Sequence, residues 1–145
     1  MRALLINGGA QRNEDCAAIE KRLREQGAET AVFWPIRTEN LPCSGCGACR
    51  GAGMCVADPR PGAFLKEAAA YDTLVFLIPV GLFGPSVDMI HFIRRVAQIN
   101  STREGKRLAG KVAAAVPLGR RSAKNDARVR ALLAELGLPE KEDLL

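Results

Sequence analysis

One histidine, one tryptophan and one tyrosine are all this chain of 145 residues contains of those types, and each scarcity removes a class of chemistry. With His91 alone, neither a catalytic triad nor a histidine-rich metal site can be assembled without a partner. His91 follows Ile90 on an amphipathic stretch and reads as a packing or helix-surface residue. No aromatic residue is interleaved among the basic residues of the second half, so nothing there offers a platform for stacked bases, and nucleic acid is not an expected partner. Long apolar runs are also missing. The longest, Leu74 to Pro79, has strand length and falls far short of the roughly eighteen residues of a membrane span. The opening MRALLING is too short for a secretory signal. Together these absences predict a soluble, cytoplasmic protein of one domain.

What is present is unevenly distributed. The net charge of +5 is modest, yet eleven Lys or Arg residues lie between Arg94 and Arg130 against only Glu104 and Asp126. That half carries a positive field, which either forms a solvated face or attracts nucleotide phosphates or an acidic partner. Four of the five cysteines, Cys43, Cys46, Cys49 and Cys55, fall within the run CSGCGACRGAGMC. Thiols at such short intervals, with Gly45, Gly47, Gly51 and Gly53 between and beside them, converge on one point, and the glycines let the backbone curl and aim N–H groups at sulfur. Repeated two-residue gaps and a nearby fourth cysteine favour an iron-sulfur cluster. Structural zinc more often takes two cysteine pairs a dozen or more residues apart. Zinc stays open as an alternative, as do disulfides in an oxidising compartment and free thiols.

The hydrophobic pattern alternates between two periods. Ala3 to Ile6 is a continuous apolar run ending at Asn7-Gly8-Gly9, the mark of a strand buried on both faces. Cys16, Ile19 and Leu23 then recur at helical spacing and stop at Gly27. Thr30 to Ile36 reads as a strand, with Phe33 and Trp34 as core or as cover for the cysteine loop. A short helix from Pro61, carrying Phe64, Leu65 and Ala68, leads into the strongest strand, Thr73 to Ile78. Pro85 opens a third helix, with Ser86 as another possible cap and Val87, Ile90, Ile93 and Ala97 as its buried stripe. Lys111 to Val116 is a fourth strand, and Asp126 to Leu136 a fourth helix ending at Gly137. Such alternation predicts an α/β fold with a parallel sheet, right-handed crossovers and helices on both faces. The fourth strand is left at an exposed edge, which predicts either a homo-oligomer or a tail folded back across it.

In an open parallel sheet, ligands sit beyond the carboxyl ends of the strands. Three loops are therefore candidates for a cofactor. The first holds Gly8, Gly9, Gln11, Arg12, Asn13, Asp15 and Cys16 and delivers the chain to a helix N-terminus suited to a phosphate. The second, Pro79, Val80, Gly81, Leu82, Phe83 and Gly84, can approach a flat ring with backbone and with Phe83. The third carries Gly119, Arg120 and Arg121, suited to a phosphate or cofactor edge. Cys16 starts a helix, where a dipole can lower a thiol pKa, but its spacing with Ile19 and Leu23 fits burial better. No residue stands out as a catalytic acid or base.

These segments, LLINGGAQRNEDCAAIEKRL, LPCSGCGACRGAGMCV, IPVGLFGPSVDMIHFIRR and GKVAAAVPLGRRS, resemble the flavodoxin-like NAD(P)H-dependent FMN reductases, and most closely their iron-sulfur flavoproteins. The resemblance runs from Met1 to about Gly137. It implies a three-layer flavodoxin-like fold at residues 1–137, with strand order 2-1-3-4, the fifth strand missing, a cysteine-cluster loop at 41–57 and a tail at 138–145. It further implies FMN at the sheet edge, a 4Fe-4S cluster on Cys43, Cys46, Cys49 and Cys55, and NAD(P)H or a redox partner protein as the electron source or sink.

The chain departs from that pattern in places. Relatives wrap the FMN phosphate with hydroxyl-bearing residues, whereas here Glu14 and Asp15 bring two carboxylates. A unit charge about 5 Å from a phosphate charge costs roughly 3 kcal/mol at an effective dielectric of 20, while the helix dipole returns about 0.3 to 1 kcal/mol. Unless Arg12 or Arg120 compensates, or Asp15 serves as a helix cap, FMN binding should be weak. Ile78 stands where relatives place Ser or Thr, and Gly81 where many place Tyr against the flavin. The leading expectation is an oxidoreductase of the iron-sulfur flavoprotein type. The alternatives are a flavin-free iron-sulfur carrier and a zinc-stapled binding module.

Overall fold

The strand at the centre of the sheet is the one with the longest apolar run. In a computed structural model, which describes residues 1–9, 14–35, 58–102, 107–119 and 122–141, that strand is β3 (Thr73–Gly81). The chain runs β1 (Arg2–Asn7), α1 (Glu14–Glu25), β2 (Glu29–Phe33), α2 (Arg60–Ala68), β3, β4 (Gly84–Pro85), α3 (Val87–Asn100), β5 (Val112–Gly119) and α4 (Ala123–Ala134). β1 pairs in parallel with β2 and β3, and β3 in parallel with β5. The order β2-β1-β3-β5 is the expected 2-1-3-4 arrangement of parallel strands, with one short antiparallel strand, β4, added at the end of β3.

Two cores flank the sheet because strand residues alternate their faces. On one side Cys16, Ile19 and Leu23 of α1 meet Ala3, Leu5, Val75, Leu77 and Ala114. On the other, α2, α3 and α4 cover Leu4, Ile6, Leu74, Phe76 and Ile78. Phe64 is the hub of that second core, with ring centroids 5.5 Å from Phe33, 6.1 Å from Phe76 and 5.6 Å from Phe92. Each buried Phe contributes about 1.5 to 3 kcal/mol by removal of apolar surface from water.

Several boundaries differ from the sequence reading. β5 runs on to Gly119 instead of stopping at Val116, and α4 opens at Ala123 instead of Asp126. Val87, expected in the buried stripe of α3, is exposed, while Met89, Phe92 and Val96 take the buried face. β2 ends at Phe33, leaving Trp34 exposed and Pro35 buried. β3 continues through Pro79-Val80-Gly81, because Ile78, Pro79 and Val80 pair with Pro117, Leu118 and Gly119 of β5. Pro85 belongs to β4, and Ser86 caps α3, its Oγ accepting from the Met89 N–H at 3.4 Å.

The tail does fold back. The Ala113 N–H donates to the Pro139 carbonyl at 2.9 Å, the Lys141 N–H donates to the Ala113 carbonyl at 2.8 Å, and Glu140 bridges Ala113 in parallel. Farther along, Pro117 lies on that same side of β5 and has no N–H to offer, which blunts the edge. No helix among the described residues is long and apolar enough to cross a membrane.

Candidate functional site

The carboxyl ends of β1, β3 and β5 lie side by side; β3 and β5 end in Gly81 and Gly119, and Gly8 directly follows the last residue of β1. Asn7, fully buried at the end of β1, turns the chain: its Oδ1 accepts from the Gly9 N–H at 2.8 Å. The Gly8 N–H continues the ladder to the Leu77 carbonyl at 2.9 Å. A Cβ at Gly8 would sit 2.5 Å from Met89 Cγ and 2.8 Å from the Leu77 oxygen, so only glycine allows β1 to end this close to α3. Asp15 lies in the first turn of α1, exposed beside Glu14, and the helix already begins at Glu14. It is a first-turn residue rather than the cap.

Cys16 is buried within the α1 core. Burial pushes its thiol pKa up, the Glu20 charge adds to that, and a hydrogen bond with Asn7 offsets only part. The helix start therefore does not activate this cysteine.

The second loop is a built hairpin. Val80 pairs with Pro85 and Gly81 with Gly84, leaving Leu82 and Phe83 at the tip. Gly84 has φ +112°, a value that side-chain-bearing residues rarely adopt. The Ser86 N–H donates to the Pro79 carbonyl at 2.8 Å. From α4, Asn125 Nδ2 reaches the Gly81 carbonyl at 3.4 Å and Arg128 Nη1 the Phe83 carbonyl at 3.0 Å. Phe83 is 91% exposed and Leu82 67% exposed. A Cβ at Gly81 would meet nothing within 4 Å, so the backbone there is open to a flat group. In the third loop, Gly119 closes β5 opposite Val80.

Of the sequence-predicted residues, Gly8, Gly9, Pro79, Val80, Gly81, Leu82, Phe83, Gly84 and Gly119 thus belong to neighbouring strand ends, with Asp15 on the helix that follows β1. Gln11, Arg12, Asn13, Arg120 and Arg121 lie outside the described residues, as do Cys43, Cys46, Cys49 and Cys55. Among the described residues, no group of three His, Cys, Asp or Glu side chains is placed to hold a metal. A cavity of about 630 Å³ runs along β5 between α1, α4 and the tail, and none of the glycine-loop residues lines it.

Sequence reasoning missed Met89, Asn125 and Arg128. The first packs on Gly8 and the other two hold the hairpin from a separate element, so no local pattern announces them. Asn7 was visible only as part of an Asn-Gly turn.

The model of the family described as NADPH-dependent FMN reductase matches residues 1–142. The chain belongs to that family. An iron-sulfur flavoprotein of Methanosarcina thermophila is 28% identical to this FMN reductase family member over 119 residues, covering 79% of the chain and 61% of the relative. The chain thus spans about three-fifths of that relative's length. Among solved structures, the Trp repressor binding protein from Bacillus subtilis superposes with TM-score 0.63 at 17% identity, covering 98% of this chain and 83% of that one. A flavodoxin from the domain Archaea superposes with TM-score 0.60 at 12% identity, covering 100% of this chain and 81% of that one. The flavodoxin-like fold follows from these likenesses.

Proposed function

We propose that this family member is a redox flavoprotein, an FMN-dependent NAD(P)H oxidoreductase or electron-transfer protein, whose Cys43, Cys46, Cys49 and Cys55 hold a 4Fe-4S cluster. The observation that carries the reading is the set of glycine-bearing strand ends at Gly8, Gly81 and Gly119 on one edge of a flavodoxin-like sheet. The open space over Gly81 fits a flat ring. The two carboxylates in the first turn of α1 oppose the phosphate of the same cofactor. Bound at these strand ends, FMN would supply hydride acceptance from NAD(P)H and single-electron release, and a cluster on the four thiols would supply one-electron storage.

The chain's own residues do the positioning. Asn7 and Met89 fix the turn at Gly8, and Asn125 and Arg128 fix the hairpin that would border the ring. No side-chain acid or base is required, because the cofactors carry the chemistry. Support for the cluster comes from the spacing of the four thiols and from the name of the curated relative.

Anaerobic loading with FMN, iron and sulfide, followed by visible spectroscopy and elemental analysis, tests both parts. Flavin bands and a broad cluster absorbance near stoichiometry are expected. Absence of both after loading defeats the proposal. Glu14 and Asp15 favour one second reading, a flavin-free iron-sulfur carrier, which a cluster without flavin binding would select. Zinc at one equivalent, with no colour on iron and sulfide loading, would select the zinc-stapled module.

A further inference from the structure

Pro35 and Asp58 are the described residues on either side of positions 36–57, which carry Cys43, Cys46, Cys49 and Cys55. Both flanks are fixed to one turn of α3. On the entering side, Phe33 closes β2 and stacks on Phe92, with ring centroids 6.0 Å apart and planes inclined by 27°. On the leaving side, Asp58 is bound by Arg95, whose Nη1 donates to Oδ2 at 2.9 Å. Phe92 and Arg95 are three positions apart on α3, so they are neighbours on its surface.

Asp58 is held by more than one partner. The Arg60 N–H and Nε donate to its Oδ1, each at 3.1 Å, and Arg60 Nη2 donates to Oδ2 at 2.8 Å. Asp58 is 2% exposed and Arg95 4%. Taking charges out of water is so unfavourable that a well-packed apolar group often stabilises a core as well as a buried ion pair does. Stability alone is therefore a poor account of this arrangement. What charged hydrogen bonds add is direction, because they fix the carboxylate, and the backbone that bears it, in one orientation.

Cys55 stands three residues before Asp58. Three peptide units reach at most about 11 Å between Cα atoms, so the group that fixes Asp58 limits where the last thiol can stand. Supporting groups behind metal ligands typically contribute about tenfold to a hundredfold in affinity, since they order the ligands before the metal arrives. We propose that Asp58 and Arg95 are positioning residues for the four-thiol site: their ion pair pins the end of the cysteine run to α3 and so pre-orders the thiols for a metal. The proposal rests on the reading that these cysteines ligate a metal, and it holds whether that metal is an iron-sulfur cluster or zinc.

The test uses the full reduced chain and Co(II), whose absorption bands report thiolate coordination directly. The dissociation constant should rise about tenfold in Asp58→Asn and in Arg95→Gln. Arg95→Lys, which restores a cation opposite the carboxylate, recovers part of that loss. Arg60→Gln keeps the Arg95 contact and serves as the milder variant where the buried substitutions do not fold; a loss of about threefold is expected from it. Val129→Ala, which opens a cavity beside the fully packed face of α4, controls for stability: it lowers the thermal midpoint and leaves Co(II) affinity unchanged. Parental Co(II) affinity in the folded Asp58, Arg95 and Arg60 variants overturns the proposal, and so does an equal loss in Val129→Ala. A parent chain that binds no Co(II) overturns the proposal and the metal reading together. Co(II) binding that depends on Asp58, in a chain that assembles no cluster from iron and sulfide, removes the iron-sulfur reading and leaves the positioning role standing. A cluster that assembles equally well in every variant does the reverse.

Discussion

On the proposed reading, Asp15 and Gly81 set how tightly a flavin is held, one toward its phosphate and the other toward its ring. Asp15 stands exposed in the first turn of α1, where a carboxylate repels an incoming phosphate that the helix N-terminus would otherwise favour. Asp15→Ser should therefore tighten FMN binding on the order of tenfold, with the gain shrinking as salt is raised. At the other end, nothing lies within 4 Å of a Cβ on Gly81. Gly81→Tyr should fit without loss of stability and add a ring contact, tightening FMN by roughly threefold to tenfold. Fluorescence titration of parent and variants checks both. Unchanged or weaker binding in both would mean that these residues do not face the cofactor. Asp15 and Gly81 were legible in the sequence because they are departures from a pattern carried by short local segments. The partners that shape their surroundings, Met89, Asn125 and Arg128, were not, since each acts across a large sequence separation.

At the scale of elements, periodicity identified every parallel strand and every helix among the described residues, because each buries a face of its own. What it missed was the buried face of α3, the start of α4 at Ala123, the extensions of β3 into Pro79-Val80-Gly81 and of β5 into Pro117-Leu118-Gly119, and the hairpin to β4. Pro and Gly are depleted in strands and read as loop. Here Pro79 sits where β5 ends on one side and where its carbonyl takes the Ser86 N–H on the other. Long-range pairing outweighed local preference. The same logic locates the element most sensitive to truncation. α3 presents Phe92 to Phe33 and Phe64 at centroid distances of 6.0 and 5.6 Å, so it joins β2 and α2 in one aromatic cluster. Phe92→Ala should cost about 3 to 5 kcal/mol in chemical denaturation. A loss below about 1 kcal/mol would show that the cluster repacks around the gap.

For the molecule as a whole, acid resistance turns on a buried ionic knot. Asp58 Oδ2 accepts from Arg60 Nη2 at 2.8 Å and from Arg95 Nη1 at 2.9 Å, tying the start of α2 to α3. Burial alone would raise the Asp58 pKa, but the hydrogen bonds from Arg60 and the charges of Arg60 and Arg95 outweigh it, leaving the carboxyl below its ordinary value. Asp72 is likewise lowered: burial raises it, and the Thr73 hydroxyl, the Arg2 amide and nearby positive charge overcome that. A carboxyl whose folded pKa is depressed stabilises the fold above its unfolded value, near 3.9, and loses that contribution as pH falls through the folded value. Asp58→Asn should therefore lower the thermal midpoint at pH 7, and the gap to the parent should close as pH falls through the depressed folded value. Parallel curves across that range would sink the assignment.

The outer margin of the sheet has a consequence of its own. Ala113 is already engaged by residues 139–141, and Pro117 lacks the N–H that a neighbouring strand would seek. At this margin a strand from a neighbouring molecule finds few rungs to grip, so edge-to-edge pairing through β5 is disfavoured.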